Sequence, residues 1–510
     1  MTITSLSFII FIFLAVVVYY LTPKRYMWIT LLFLSFVFYF LAAVPYTLVF
    51  LLITALTAHF SSYLMERTEK YRNTVAFAAI ALNILLWFLF KGSTYWIGLS
   101  VALHSVFPAV PVLNKIPFPA AFGMSYYTFQ SVSYIIDCLW KTSKREKNFF
   151  RLLLFLMFFP QLTTGPFSRY NALQSVYEGR SFDIDRICRG AQRILWGFFK
   201  KLVLAERIGA IVDTVYGAPE AHIGLWYVLS FLLYPLQLYA DFSGSVDIVL
   251  GVAELFGIEL PENFNNPLFA ETSQEFWQRW HMSLGSWVKD YIMYPVLKSK
   301  PVLEAGNRIK AKHGKKASKL VTLGIGMFCT WMFIGIWHGG YRYILGCGIY
   351  YWAVMLSYEI LSPYLSGINK TLGINVTSFS YHLMRKLRTY LILCISMVFF
   401  RSDGIMNAFR MLKAIILSFT QDFFNPWIFV NGALADTGLS GTDTAVIIMS
   451  LFLMLLAALL REKKGHARDW IAEQGIVFRW SAWLILFTLV MIFGMYGPGY
   501  HAADFIYQGF

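Results

Sequence analysis

Charge is what this 510-residue chain has least of: Asp, Glu, Lys and Arg make up 14% of it, where an ordinary soluble domain carries about 25%. A water-facing surface needs that charge, so the shortage excludes a typical soluble enzyme and a disordered chain. Cysteine is scarce as well. The five present, Cys138, Cys188, Cys329, Cys347 and Cys394, are odd in number, form no C-x-x-C pair and lie mostly in or near apolar stretches. They read as core thiols, not as disulfide or zinc partners. Also missing are G-x-x-x-x-G-K-[ST], H-E-x-x-H and G-x-S-x-G, which leaves ATP-driven transport, zinc proteolysis and a serine-hydrolase elbow without support.

What is abundant is apolar. Hydrophobic residues reach 58% and aromatics 18%, with a mean hydropathy of +0.57. Only helices and closed barrels satisfy their backbone groups in lipid, and the apolar runs here are of helix length, so the chain reads as an all-α polytopic membrane protein. Residues 1–23 carry no charge, and Lys24 and Arg25 follow the apolar core Leu6–Tyr20 rather than precede it, which marks a retained first span with the N-terminus outside. Two further spans are expected between Arg25 and Glu66, broken near Pro45. Other strong runs are 75–90, 223–240, 320–337, 343–358, 445–460 and 480–495. Shorter or more polar segments (117–136, 152–164, 194–205 and 389–400) are tolerated at membrane depth only where protein buries them or a wet cavity receives them. The expectation is about 10 to 12 spans with some re-entrant helices, in one bundle covering residues 1–510.

The net charge of +15 sits in loops between apolar runs, which points to cytoplasmic loops and away from nucleic acid. Between Lys298 and Lys319 lie Lys300, Arg308, Lys310, Lys312, Lys315 and Lys316, with Glu304 the only acid, the strongest cytoplasmic marker in the chain. Arg461, Lys463, Lys464 and Arg468 precede the final apolar run and place the C-terminus outside.

Ionisable groups at membrane depth are costly, so they are candidates for function. His338 lies in FIGIWHGGYRY (333–343), where Gly339 and Gly340 allow close backbone approach and a neutral imidazole can accept a proton. The plainer reading is a hydrogen bond at a helix end. His281 lies in EFWQRWHMSLGSWVKDYIMYP (275–295), where helical spacing puts Trp277, His281, Leu284 and Val288 on one face and Trp280, Leu284, Trp287 and Tyr291 on the next. Its plainer reading is an interfacial helix with a snorkelling histidine. Asp241 and Ser245, in YADFSGSVD (239–247), share a helical face, able to cap or orient a buried partner, and structural pairing is favoured there over catalysis. PENFNNP (261–267) reads as a fixed loop. The ending FIYQGF (505–510), with three aromatics and no charge, is unlike a frayed tail; composition does not say whether Tyr507 anchors or reacts.

In this order, FGMSYYTFQSVSYIID (122–137), QLTTGPFSRY (161–170), YADFSGSVDIVLG (239–251), PENFNNPLF (261–269), EFWQRWHMSLGSWVKDYI (275–292) and GIWHGGYRY (335–343) resemble the membrane-bound O-acyltransferases. The likeness is to their bacterial branch of alginate and peptidoglycan O-acetylation subunits, related to the teichoic-acid D-alanyl transfer proteins. The motif-bearing core covers about 117–345. The resemblance implies a ring of about 10 to 12 transmembrane helices, with re-entrant and interfacial helices, around a central tunnel. It implies that His338 is the hallmark histidine, His281 the second one, and that Asp241, Asn263, Trp337, Trp280 and Ser283 line the tunnel. FIYQGF resembles the F-x-Y-x-x-F ending of acetylating members, which makes Tyr507 a candidate acyl acceptor. Acetyl-CoA is the implied donor, with no metal. The implied partners are a secreted or membrane-anchored SGNH-type acetyltransferase, an envelope or exopolysaccharide acceptor and membrane lipids, with no nucleic acid, in a bacterial cell membrane. Ser245 departs from the tyrosine that many relatives carry after the glycine. Two rivals remain: D-alanyl transfer from a carrier-protein thioester, and a transporter without a covalent step, which would predict internal repeats that are not seen.

Overall fold

The computed structural model describes residues 1–108, 110–113, 122–218, 225–418 and 437–496. Within them the chain is helical, the only extended pairing among the described residues being an isolated antiparallel bridge between Phe264 and Trp280. Seven helical segments are long and apolar enough to cross a membrane, namely Lys24–Ala42, Pro45–Arg67, Glu69–Phe90, Lys300–Trp337, Tyr341–Thr371, Gly441–Lys464 and Ile476–Phe493, and Leu6–Leu21 is a shorter apolar helix. Several of their ends fall where the sequence places charge or proline, as at Pro45, Arg67 and Lys464. Pro45 opens one 3-10 turn between the helices Met27–Ala42 and Leu48–Arg67, because its ring fixes φ and removes an N–H.

Two compact units emerge, one from residues 1–198 and 244–262 and the other from 199–243 and the described residues beyond 262. In the first, the Leu6–Leu21 helix starts at Ser5, whose hydroxyl accepts the Phe8 N–H, the usual N-cap bond. One side of it, Phe8, Phe11, Ile12, Ala15 and Tyr19, is buried, while Leu6, Phe13 and Leu21 are 71%, 68% and 80% exposed. An apolar face that open is suited to lipid rather than water. The helix Met124–Leu139 is buried without interruption from Met124 to Ile135, and two of its serines accept from a neighbouring helix: Trp87 Nε1 donates to Ser125 Oγ at 3.1 Å and Asn83 Nδ2 to Ser131 Oγ at 3.3 Å. A segment too polar for lipid is thus held among other helices. Elsewhere in this unit Gly190 and Gly251 let two helices touch, since a Cβ on Gly190 would lie 2.8 Å from the Gly251 carbonyl oxygen. Beside that contact Arg193 reaches Asp247, Glu254 and Glu262 at 3.0, 3.4 and 2.8 Å.

The second unit carries the histidines. The chain from Phe199 to Ala205 is a wider π turn followed by the helix Glu206–Gly217. Arg207 ties the start of that helix to the capping box of Gly441–Lys464 through Asp443, at 2.9 Å, and donates to the Phe493 carbonyl. The Lys300–Trp337 helix is interrupted at Gly314 (φ 85°) and stops at His338, where Gly339 at φ +86° turns the chain, a conformation that favours glycine. Gly335 allows the returning segment to close on this helix, because a Cβ there would sit 2.9 Å from the Tyr343 carbonyl oxygen. Of the cysteines, Cys138, Cys347 and Cys394 are buried, whereas Cys188 is exposed and so is not a core thiol.

Candidate active site

His281 does not lie within a helix. The segment expected to run as one amphipathic helix through residues 275–295 is instead split into Ser273–Arg279 and Met282–Val288, with His281 between them in the left-handed region (φ 46°, ψ 51°). The cause is the neighbouring loop. Asn265 N–H donates to the Arg279 carbonyl at 2.9 Å and Met282 N–H to the Asn263 carbonyl at 3.0 Å, and together with the Phe264–Trp280 bridge these bonds replace helical ones. Spacing alone does not reveal such a strap. A non-glycine residue with positive φ costs energy and concentrates at functional sites. The surface reading of His281 also fails, since the residue is only 2% exposed.

Asn263 sets the protonation of that ring. Its Oδ1 accepts the Ser283 N–H at 3.0 Å and the Ser283 hydroxyl at 2.8 Å, which identifies this atom as the carbonyl end of the amide. His281 Nδ1 lies 3.2 Å from the same oxygen. An oxygen that only accepts requires a proton on Nδ1, so the neutral ring keeps its lone pair on Nε2. The Phe242 ring packs edge-on to the imidazole at 5.0 Å, and Trp280 is stacked on Phe276 at 5.5 Å.

His338 stands at the end of its helix, with its N–H donating to the Ile334 carbonyl. Its imidazole is enclosed by Trp337, Tyr343 and Phe400, with ring centroids 4.7, 5.5 and 5.1 Å away. Trp337 also faces His281, at 6.3 Å, so one indole lies beside both imidazoles. The helix-end hydrogen bond coexists with a buried ring facing aromatics, not lipid. Burial pushes the basicity of both rings down from about 6.5 to about 3, and the neighbouring His338 adds to the effect on His281. Both rings are therefore neutral at physiological pH.

That shift has a signed consequence. The folded protein binds fewer protons than the unfolded chain once the pH drops below 6.5, so these two groups withdraw stability as the medium is acidified from 6.5 towards 3 and have no such effect above 6.5. Unfolding midpoints in detergent for the wild type and His281→Phe, compared between neutral and mildly acidic pH, should show the acid loss partly relieved in the variant. An equal loss in both would mean that His281 titrates in the folded state as it does in water.

Of the other expected residues, Asn263, Trp280, Ser283 and Trp337 all gather around the two histidines, and each is under 8% exposed. Asp241 is engaged differently: its carboxylate lies 2.6 Å from Lys201 Nζ, which is also 2.6 Å from Glu206. Lys200 next to it donates to Ser243 Oγ at 2.8 Å. Phe242, the neighbour of Asp241, is the ring against His281. Sequence reading missed this buried lysine, although two adjacent lysines inside the apolar run 194–205 were the available signal. Tyr507 and the rest of FIYQGF lie outside the described residues. Among the described residues no group of three or more His, Cys, Asp or Glu side chains is arranged to hold a metal.

Two buried imidazoles, one with its tautomer set by Asn263, thus lie beside one indole in a helical membrane protein. Comparison with known proteins adds that residues 121–363 match the model of the membrane-bound O-acyltransferase family. Within it the chain is 32% identical to a probable alginate O-acetylase of Pseudomonas syringae pv. tomato, over 58% of this chain and 51% of that protein. It is 29% identical to the teichoic acid D-alanyltransferase of Bacillus subtilis, over 60% and 73%, and 27% identical to the peptidoglycan O-acetyltransferase of Helicobacter pylori, over 58% and 56%. The match thus spans about half the length of the alginate relative.

Proposed function

We propose that this protein is a membrane O-acyltransferase that moves an acetyl group from acetyl-CoA on the cytoplasmic side toward an envelope or secreted polysaccharide on the other. The observation that carries the reading is the pairing of His281 and His338 about Trp337, with Asn263 holding the His281 lone pair on Nε2. The names of the alginate and peptidoglycan relatives support acetyl as the group.

In the reaction a hydroxyl oxygen attacks the thioester carbonyl carbon while its proton passes to the imidazole pair. His338, the hallmark histidine of the resemblance, is the base, and His281 assists through Nε2, the atom its contact with Asn263 leaves able to take a proton. The carbon–oxygen bond forms, the carbon–sulfur bond breaks, and the sulfur leaves with the proton returned from the imidazolium. The aromatic walls exclude water and so protect the thioester from hydrolysis.

The accepting hydroxyl is the phenol of Tyr507, and a secreted or membrane-anchored SGNH-type transferase then carries the acetyl group to the polymer. Incubating the purified protein with acetyl-labelled CoA tests this directly. Label should appear on the wild type and be absent from Tyr507→Phe, with normal yield and elution of both. Label retained by Tyr507→Phe removes the tyrosine from the scheme, and labelling by a D-alanyl carrier-protein thioester in place of acetyl-CoA assigns the chain to the D-alanyl reaction.

A further inference from the structure

The span that ends at His338 begins in a compact basic hairpin. Gly314 at φ +85° breaks the Lys300–Trp337 helix, and the two arms fold against each other: Ser318 Oγ donates to the Gly306 carbonyl at 2.8 Å, and a Cβ on Gly306 would meet Thr322 Cγ2 at 2.8 Å. Contacts pairing residue 306 with 318 and 322 require antiparallel arms with the turn between them. Lys310, Lys312, Lys315, Lys316 and Lys319 are exposed on this tip. Arg308 joins them with its side chain 83% exposed, and the single acid, Glu304, sits 3.9 Å from it in a loose surface pair. Such a pair neutralises little.

We infer that this hairpin binds the anionic headgroups of the surrounding lipid leaflet. Three observations select lipid over a soluble acidic protein. The apolar part of the helix starts at Leu320, immediately after Lys319, so at ~1.5 Å per residue the basic residues from Lys315 to Lys319 lie within about 8 Å of the hydrocarbon edge, inside the headgroup layer and a Debye length. No aromatic residue occurs between Tyr294 and Phe328, in a chain that is 18% aromatic; protein interfaces take their specificity from such anchors, whereas a fluid anionic surface needs only charge. The tip also carries partly exposed apolar side chains at its base, Leu303 at 52% and Val321 at 38%, placed to enter the acyl boundary as the lysines reach the phosphates. Because the arm from Lys315 leads directly into the helix ending at His338, the bound headgroups hold that helix at a set depth.

The test uses the full-length protein in neutral detergent, titrated with phosphatidylglycerol or with phosphatidylcholine, with retained lipid counted by native mass spectrometry. Phosphatidylglycerol should be retained preferentially, the preference should weaken in high salt, and each of Lys310, Lys312, Lys315 and Lys316 changed to Gln should lower it by about fivefold. Changing the same four to Arg preserves charge and should preserve retention, which separates charge from any effect on folding. Equal retention of the two lipids, or retention that the Gln variants leave unchanged, overturns the inference. So does capture of a soluble acidic protein by the hairpin at a site where phosphatidylglycerol does not compete. None of these readouts depends on acyl transfer, so their failure leaves the catalytic reading standing.

Discussion

Replacing His281 or His338 by alanine is expected to lower acetyl transfer by about 10²–10⁴-fold, the range for loss of a positioned acid–base group, while the variants still insert and elute as the wild type does. Each ring is buried by aromatics on several sides, Phe242 and Trp337 around His281 and Trp337, Tyr343 and Phe400 around His338. Truncation therefore also opens a small cavity, and phenylalanine is the better control for packing. Asn263→Asp separates a positioning role from a structural one. It keeps an accepting oxygen for Ser283 and His281 but adds a charge beside the ring, which favours the imidazolium and moves the acid limb of the pH–rate profile upward. Transfer within threefold of wild type in both histidine→Phe variants would show that the proton travels by another route. An unmoved acid limb in Asn263→Asp would remove the amide from the proton path.

The largest effect on stability is expected at a residue outside the reacting pair. Lys201 Nζ is 2.6 Å from both Asp241 and Glu206, and the three side chains are 3%, 2% and 10% exposed. Removing one partner of a buried ion pair costs about 3–5 kcal/mol, because it leaves charge in a medium that cannot solvate it; Lys201→Met leaves two carboxylates in that position. The midpoint of thermal unfolding in detergent should fall steeply for Lys201→Met and recover in part when Asp241→Asn is added, since one of the stranded charges is then gone. The same cycle reads the site: Phe242 follows Asp241 in the chain and packs on His281, so transfer should drop in the single variant and rise again with the second change. A Lys201→Met midpoint indistinguishable from wild type would mean that the carboxylates find water or protonate freely.

The break at His281 and the ion pairs at Lys201 and Arg193 define the limit of what the sequence discloses. Apolar runs locate helices well because hydrophobic length is a local property, and the boundaries near Pro45, Arg67 and Lys464 follow from it. The helix expected through 275–295 fails because Asn263 and Asn265, more than ten residues upstream, take the backbone bonds that a helix would have used. The plain reading of Asp241 as half of a structural pair is what the geometry shows, but its partner lies 40 residues earlier, on a π turn with no sequence signature. Arg193 likewise reaches three carboxylates between 54 and 69 residues away. Buried charge announces itself in a sequence, whereas its partner does not.

Composition and the order of the apolar runs determined by themselves that this is a helical membrane protein, and the W-H motifs determined which two histidines to watch. Both are legible because hydrophobicity and residue type are written position by position. Only the tertiary structure decided that Asn263 holds His281 in one tautomer, that Trp337 lies beside both imidazoles, and that Lys201 neutralises Asp241. Those are contacts between segments distant in the chain, chosen by the packing of helices and the need to satisfy each polar group taken out of water.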